Sequence, residues 1–318
     1  MECRVFGLLR KSSAAKGRVG IAFDSGRVAV AVAVRVGDRT VLERCEVLAF
    51  DPAGGVEAAA TVIRSAGLPR MPVSMVLRPE DYQLVLVEAP DVPPAELRAA
   101  MRWRLKDSID FRVEDAVIDV FDVPPQSRGG VGRMMYAVAA RRTAVERCAA
   151  ALSGMPLFDV VDVPELCLRN LASRMTEAAG GVALLHLGDT SASVILVRGT
   201  TFYFSRQTEL RPVKVGPTAG DADDAAQLDS DAIVLELQRS LDYYERHFDQ
   251  PPISRIAISP ISDRARALAA ALNRDTGFDV SALDLNDLLG LQTPVEPSVQ
   301  SACLMAVGAA IREERRTL

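Results

Sequence analysis

The stretch from Val73 to Ala140 constrains the fold more than any other part of the chain. Four short apolar runs, Val73–Leu77, Gln83–Glu88, Ala116–Val123 and Met134–Ala140, surround one amphipathic segment. Runs rich in Val, Ile and aromatic residues, bounded by Pro, Gly and Asp, are strand signals. The amphipathic segment predicts a helix that starts after Asp91 as N-cap. Pro94 falls in its first turn, and Glu96 sits where an acidic side chain favours the helix dipole. Leu97, Ala100, Met101 and Leu105 share one face at helical spacing. Trp103, the single Trp of the chain, lies off that stripe. Two readings of it stay open: packing beneath a loop, or lining a partner groove, since Trp is enriched at interaction anchors.

A chain of 318 residues suits two domains, and 49% hydrophobic with 25% charged residues is ordinary for a protein with a sizeable core. The net charge of −5 argues against nucleic-acid binding, and 5% aromatic residues argues against stacking platforms for single strands. The five cysteines, Cys3, Cys45, Cys148, Cys167 and Cys303, are odd in number and contain no C-x-x-C pair; with two His they give no zinc signature and fit a reducing compartment. No apolar run approaches the ~20 residues of a membrane-crossing helix. Residues 1–17 read as a flexible tail. The basic and apolar side chains of the tail offer an alternative reading as a weak membrane-surface contact.

In chain order, Gly20–Val36 predicts two strands about an Asp24-Ser25-Gly26 turn, and Val41–Phe50 extends the meander. Pro52–Ala66 predicts a helix, and Val73–Leu77 another strand. Thr143–Leu152 reads as a helix, Phe158–Val163 as a strand and Leu166–Met175 as a helix. Thr176–Gly181 is a hinge candidate. Val182–Leu187, Ser193–Val197 and Thr201–Ser205 predict a second three-strand meander, followed by a mobile loop at Val215–Leu228. A long docked helix begins near Asp231, carries an apolar stripe from Ile233 to Phe248, and ends before Pro251-Pro252. Arg255–Ser259 is a strand, Ser262–Leu272 a helix and Phe278–Ala282 a strand. Val299–Arg315 predicts the last helix, with Cys303, Ala306, Val307 and Ala310 buried. Periodicity alone specifies a mixed α/β chain.

Ala89-Pro90, Leu97, Trp103-Arg104-Leu105, Ile109-Asp110-Phe111 and Glu114–Asp119 form an ordered set. Ala137–Arg142, Val160–Val163 and Leu237–Leu241 extend it. In this set the chain resembles the PilM/MshI family, cytoplasmic actin-like proteins of type IV and MSHA pilus biogenesis. The resemblance implies an actin-like, ribonuclease H-like α/β fold in which two domains repeat one topology. The first domain would comprise residues 18–82 and 155–178, the second residues 179–318. A small strand-helix-strand-strand subdomain, residues 83–154, would be inserted as in the related FtsA. It implies a bacterial protein at the inner face of the inner membrane, holding the cytosolic N-terminal peptide of a PilN-type membrane partner. The peptide groove would lie between the first domain and the inserted subdomain. The candidate residues there are Val85, Leu86, Leu97, Met101, Trp103 and Leu105.

Actin-like folds hold nucleotide phosphates between two hairpins, through carboxylates on a magnesium ion and close-approaching backbone N–H groups. In the first hairpin of this chain the resemblance puts Ala22 where an Asp is expected and Asp24 where a Gly is expected. In the second it puts His186 where an Asp belongs, and the adenosine turn reads Ser259-Pro260-Ile261-Ser262. Asp24 beside a phosphate brings repulsion of roughly a few kcal/mol at an effective dielectric near 20, and Pro260 has no N–H to offer. These departures predict no enzyme, no metal site and no required cofactor. The alternative keeps ATP with magnesium as a ligand, with Asp24 and Asp189 as register-shifted carboxylates and Ser25, Gly26 and Gly188 cradling phosphate. Against both stands a plain hairpin turn at 24–26 with His186 as a strand-end core residue. No P-loop, G-x-S-x-G or Ser-His-Asp arrangement is present.

The expectation is therefore a scaffold of pilus biogenesis that acts through protein–protein interaction. The alternatives are an FtsA-like actin-like ATPase and the cytoplasmic part of a type II secretion platform protein. Proteins of that last class continue into a transmembrane helix, and none precedes Leu318, which ranks it last.

Overall fold

A computed structural model of the chain describes residues 17–24, 26–37, 39–126, 132–155, 157–188, 191–210, 219–291 and 293–313. The chain divides into two compact units. One comprises Met1–Val123, Gly130–Leu171 and Leu289–Leu318; the other comprises Pro124–Gly129 and Ala172–Leu288.

The first unit opens with β1 (Gly17–Asp24), β2 (Arg27–Val36) and β3 (Arg39–Ala49), then α1 (Gly55–Ser65) and β4 (Val73–Val76). An inserted module follows: β5 (Tyr82–Glu88), α2 (Leu97–Leu105), β6 (Ala116–Asp122) and β7 (Met134–Arg141). The chain returns through α3 (Arg142–Ala151), β8 (Phe158–Asp162) and α4 (Pro164–Ala172). The second unit runs β9 (Val182–Leu187), β10 (Ser191–Arg198), β11 (Thr201–Glu209), α5 (Ala219–His247), β12 (Arg255–Ser259), α6 (Asp263–Asp275), β13 (Asp279–Ala282) and α7 (Leu285–Leu288). β14 (Gly290–Leu291) and α8 (Pro297–Ala310) rejoin the first unit.

The two large sheets repeat one topology. The first has strand order β14-β3-β2-β1-β4-β8, the second β11-β10-β9-β12-β13. In each, a three-strand antiparallel meander leads to two parallel strands beside its first member. The expected duplication is thus present in strand order and in strand sense.

Strand β2, RVAVAVAVRV, shows why the first sheet takes helices on both faces. Val28, Val30 and Val32 belong to the core with Ala59 and Ile63 of α1. The alternate Ala29, Ala31 and Ala33 face the other side, and a small-residue face lets a helix approach closely. Gly20, paired with Ala31, shows how closely: a Cβ there would lie 1.9 Å from the carbonyl oxygen of Ala306 on α8. On the far side of α8, a Cβ on Gly308 would fall 2.5 Å from the Cys167 carbonyl oxygen.

This packing corrects one expectation. The last helix, assigned from sequence to residues 179–318, lies on the first sheet, against β1, β2, β3 and β4. Two other expectations change. Helix α2 starts at Leu97 and not at Asp91, with Glu96 at its N-cap position. Pro93 and Pro94 donate no backbone hydrogen bond, and the Glu96 and Leu97 N–H groups bond to their carbonyls in a turn before the helix. Helix α5 starts at Ala219, inside the segment expected as a loop. Residues 1–16 of the predicted tail and 211–218 lie outside the described residues.

The inserted module is a three-stranded antiparallel sheet, β5-β7-β6. One face packs under α2; the other shares a core with α3 and the first sheet, through Val138 and Ala140. Among the described residues, no helix is long and apolar enough to cross a membrane.

Candidate functional site

The six residues proposed for a partner groove fall into two groups. Leu97, Met101 and Leu105 are buried in the core of the inserted module, with Val113, Ala116 and Ile118. They are the floor beneath α2 and have no surface to offer, which removes them from the candidate set. Helical spacing placed them on one face but does not say whether that face meets a partner or the module's own sheet. Val85 and Leu86 are half-buried on β5 and alternate across it, Val85 toward α2. Among the described residues, β5 is an edge strand paired to β7. Trp103 is neither beneath a loop nor in a groove: it stands on the outer face of α2 and is 80% exposed.

The arginines of α2 reach neighbouring carboxylates and a backbone carbonyl. Arg98 lies 3.4 Å from the buried Asp119, and Arg104 lies 3.8 Å from Glu88. Arg102 donates to the Val113 carbonyl at 3.1 Å. Nearby, the Arg141 guanidinium stacks 4.4 Å from the centre of the Phe111 ring.

The first phosphate-loop candidate is the β1–β2 turn. The Asp24 carboxylate is exposed and accepts from Arg27 at 2.6 Å. Gly26 has φ +76°, which favours Gly, and a Cβ there would meet Pro52 Cγ at 3.0 Å. In the second unit the β9–β10 turn brings Gly188 N–H to the Ser191 carbonyl at 2.8 Å. Ser25 and Asp189 lie outside the described residues. At the neighbouring strand ends His186 pairs with Ser259, and its Nδ1 lies 3.2 Å from Ser259 Oγ. The His186 ring is enclosed, and its desolvation lowers the pKa to about 4, so the ring is neutral at pH 7. A neutral imidazole at the end of β9 supplies neither the charge nor the oxygen ligands that a magnesium-bound phosphate requires. Gly26 and Gly188 keep backbone suited to close approach, and Asp24 is the described carboxylate among the candidates.

A third set of residues escaped the sequence reading. Tyr82 at the start of β5 donates to Glu165 Oε2 at 2.6 Å, at the start of α4. Asp81 accepts from Arg147 of α3 at 2.6 Å and from Arg78 at 3.1 Å. Burial pushes the Asp81 carboxyl up, but the two guanidiniums outweigh it and hold the carboxyl below its usual range. Asp162 at the end of β8 accepts from Arg312, just past α8, at 2.6 Å. The first two contacts fix the entry to the inserted module, and the third fixes the residues just past α8 against β8. Each partner pair except Arg78 and Asp81 is remote in sequence, so no local signal identifies it.

A five-strand topology repeated in the six- and five-stranded sheets, two hairpin turns at corresponding strand ends and a small inserted sheet define a protein of the actin-like ATPase fold. Among solved structures, the chain is similar to the PilM–PilN type IV pilus biogenesis complex: TM-score 0.69, 20% identity, covering 93% of this chain and 98% of that one. It is also similar to a Bacteroides thetaiotaomicron protein with an actin-like ATPase fold, with TM-score 0.50 and 7% identity over 89% of this chain and 96% of that one. A looser likeness, TM-score 0.46 and 17% identity over 92% of this chain and 94% of the other, joins it to the cytoplasmic domain of EpsL. That protein is an inner membrane component of the type II secretion system of Vibrio cholerae. No protein-family model and no curated protein matches the sequence.

Proposed function

We propose that this protein is a cytoplasmic adaptor of type IV pilus biogenesis, of the PilM kind. In this reading it works at the inner face of the inner membrane and holds the cytosolic N-terminal peptide of a PilN-type membrane protein. The observation that carries the reading is the fold match to the PilM–PilN complex over 93% of this chain. The physical support is strand β5. Among the described residues no strand lies beside its outer edge, and an extended peptide can bond to such an edge as an added strand. Val85 and Leu86 would set specificity, one on each face of that edge.

Nucleotide turnover has no part in this reading. The Asp24 carboxylate is engaged by Arg27, and His186 is neutral where a carboxylate would hold the metal. A calorimetric titration with ATP and magnesium, with phosphate release followed in parallel, is expected to show no turnover; release above background would replace the adaptor with an ATPase.

The peptide claim is tested with a synthetic peptide of the first residues of a PilN-type protein. Micromolar binding is expected, reduced at least tenfold by Leu86→Lys on the half-buried edge. No binding at millimolar peptide would sink the proposal, as would equal binding by the variant.

A further inference from the structure

The outer face of α2 is explained neither by the fold nor by the β5 edge. From Leu97 to Lys106 it carries four cations, Arg98, Arg102, Arg104 and Lys106, and no acidic residue; Glu96 and Asp107 bracket its ends. Its outermost line is Ala99, Trp103 and Lys106, all exposed, directly opposite the buried Leu97, Met101 and Leu105. The line therefore faces solvent because of the way the module packs.

Two of the arginines are held in place by carboxylates, Arg98 by Asp119 and Arg104 by Glu88, whereas among the described residues no side-chain carboxylate pairs with Lys106 or Arg102. A protein hot spot is an anchor set in a closed apolar patch. Here the neighbours of Trp103 along the chain are Ala99, Ala100, Arg102, Arg104, Lys106 and Asp107, and no second large apolar side chain of α2 is exposed. One protruding indole with Arg102, Arg104 and Lys106 beside it, and Asp107 as the one acidic side chain among these neighbours, suits an interface with a thin apolar layer under a dense negative charge. Trp prefers the headgroup level of a bilayer, and each Lys or Arg near an anionic leaflet contributes about 1 kcal/mol.

We propose that the outer face of α2 is a membrane-surface contact: Trp103 inserts at the headgroup level of an anionic leaflet, with Lys106 and the arginines of α2 against lipid phosphates. The occupant is an anionic lipid surface. The contact is distinct from the β5 edge and does not depend on the peptide reading above.

Because Trp103 is the single Trp of the chain, its emission reports on this face alone. The full-length protein is titrated with vesicles of phosphatidylglycerol and phosphatidylethanolamine, and in parallel with phosphatidylcholine vesicles. A blue shift and co-sedimentation with the anionic vesicles only, reversed by high salt, is the expected result. Lys106→Glu should lower the bound fraction by roughly fivefold or more, from the loss of one cation. Trp103→Ser should lower it as well. Both positions are exposed, and an unchanged melting temperature would establish that each variant is folded. Equal binding to phosphatidylcholine would overturn the proposal. So would an unshifted emission, or co-sedimentation unaffected by either substitution. Loss of peptide binding but not of vesicle binding in these variants would reassign the face to a protein partner and also overturn it.

Discussion

The Tyr82 hydroxyl donates a 2.6 Å hydrogen bond to Glu165 Oε2, joining the first residue of β5 to the first turn of α4. This contact ties the start of the inserted module to α4. Burial dominates at both ends of it. It pushes the Glu165 carboxyl above its ordinary 4.5, against the hydrogen bond from Tyr82, and pushes the Tyr82 hydroxyl well above 10.

A carboxyl whose folded pKa is raised contributes stability below its unfolded pKa, and that stability is lost as the pH rises through the folded value. Glu165 is therefore expected to destabilise the protein progressively above about pH 4.5. Glu165→Gln, which can still accept from Tyr82, should raise the melting temperature at pH 7 and leave it unchanged near pH 4. Melting curves of the two proteins across that range check this, and parallel curves would contradict it.

His186 gives the opposite slope. Desolvation lowers its pKa from 6.5 to about 4. Folding is then favoured by the neutral ring at all pH values above 6.5, and this contribution disappears as the pH falls from 6.5 to about 4. The shift corresponds to about 3 kcal/mol over that window. His186→Gln should flatten the acid limb of the stability–pH curve; urea melts at pH 7 and pH 4.5 measure it.

The strands were legible because their signal is local. The Val/Ala alternation of β2 and the two meanders show in a period of two residues, and the ordered motif from Ala89 to Asp119 carried the fold expectation. Helix α2 was legible as amphipathic, but a stripe names no partner. Leu97, Met101 and Leu105 thus passed for a groove, while Trp103, off the stripe, proved to be the exposed residue. Asp91 looked like a cap because Ser, Thr, Asp and Asn cap helices, yet the two prolines after it move the start to Leu97. Helix α8 is apolar nearly all round, so its sequence does not say which sheet it covers. The signal that places it is the absence of side chains at Gly20 and Gly308. The Tyr82–Glu165 and Asp162–Arg312 contacts join residues far apart in sequence, which no periodicity reports.

Gly20→Ala puts this placement of α8 to the test. The added Cβ would lie 1.9 Å from the Ala306 carbonyl oxygen and 2.7 Å from the Ala310 backbone nitrogen, both backbone atoms that cannot swing aside. Overpacking of this kind costs about 1–3 kcal/mol, and more where backbone must move. Loss of at least 2 kcal/mol in urea unfolding is the expected outcome; a neutral effect would place α8 elsewhere.

Arg312 closes the same helix onto β8. Its partner Asp162 has a fully buried side chain, and Arg312 itself is 9% exposed. A buried pair contributes little net stability, but removing one partner leaves the other charge uncompensated, at a cost of about 3–5 kcal/mol. Arg312→Met should destabilise by that amount, and the double variant with Asp162→Asn should recover part of it. A single variant as stable as the parent would contradict the burial of the pair.

Cys45 and Cys303 meet across β3 and α8. Hydrogen bonding from Cys303 is the largest influence on the Cys45 thiol and lowers its pKa, ahead of the opposing effects of burial and Glu46. The same contact, followed by burial, raises the Cys303 pKa. Cys167 is pushed well up by burial. The thiolate is the reactive form, and access matters as much as its population. Cys45 is half-buried, whereas Cys148, Cys167 and Cys303 are buried. Among the described cysteines, Cys45 should therefore be alkylated first by iodoacetamide in the native protein. Peptide mass spectrometry over a short time course resolves the order. Replacing its neighbour by Cys303→Ala should raise the Cys45 pKa and slow its alkylation at pH 7. Faster alkylation in that variant would mean that Cys303 acts on Cys45 by covering it and not by hydrogen bonding.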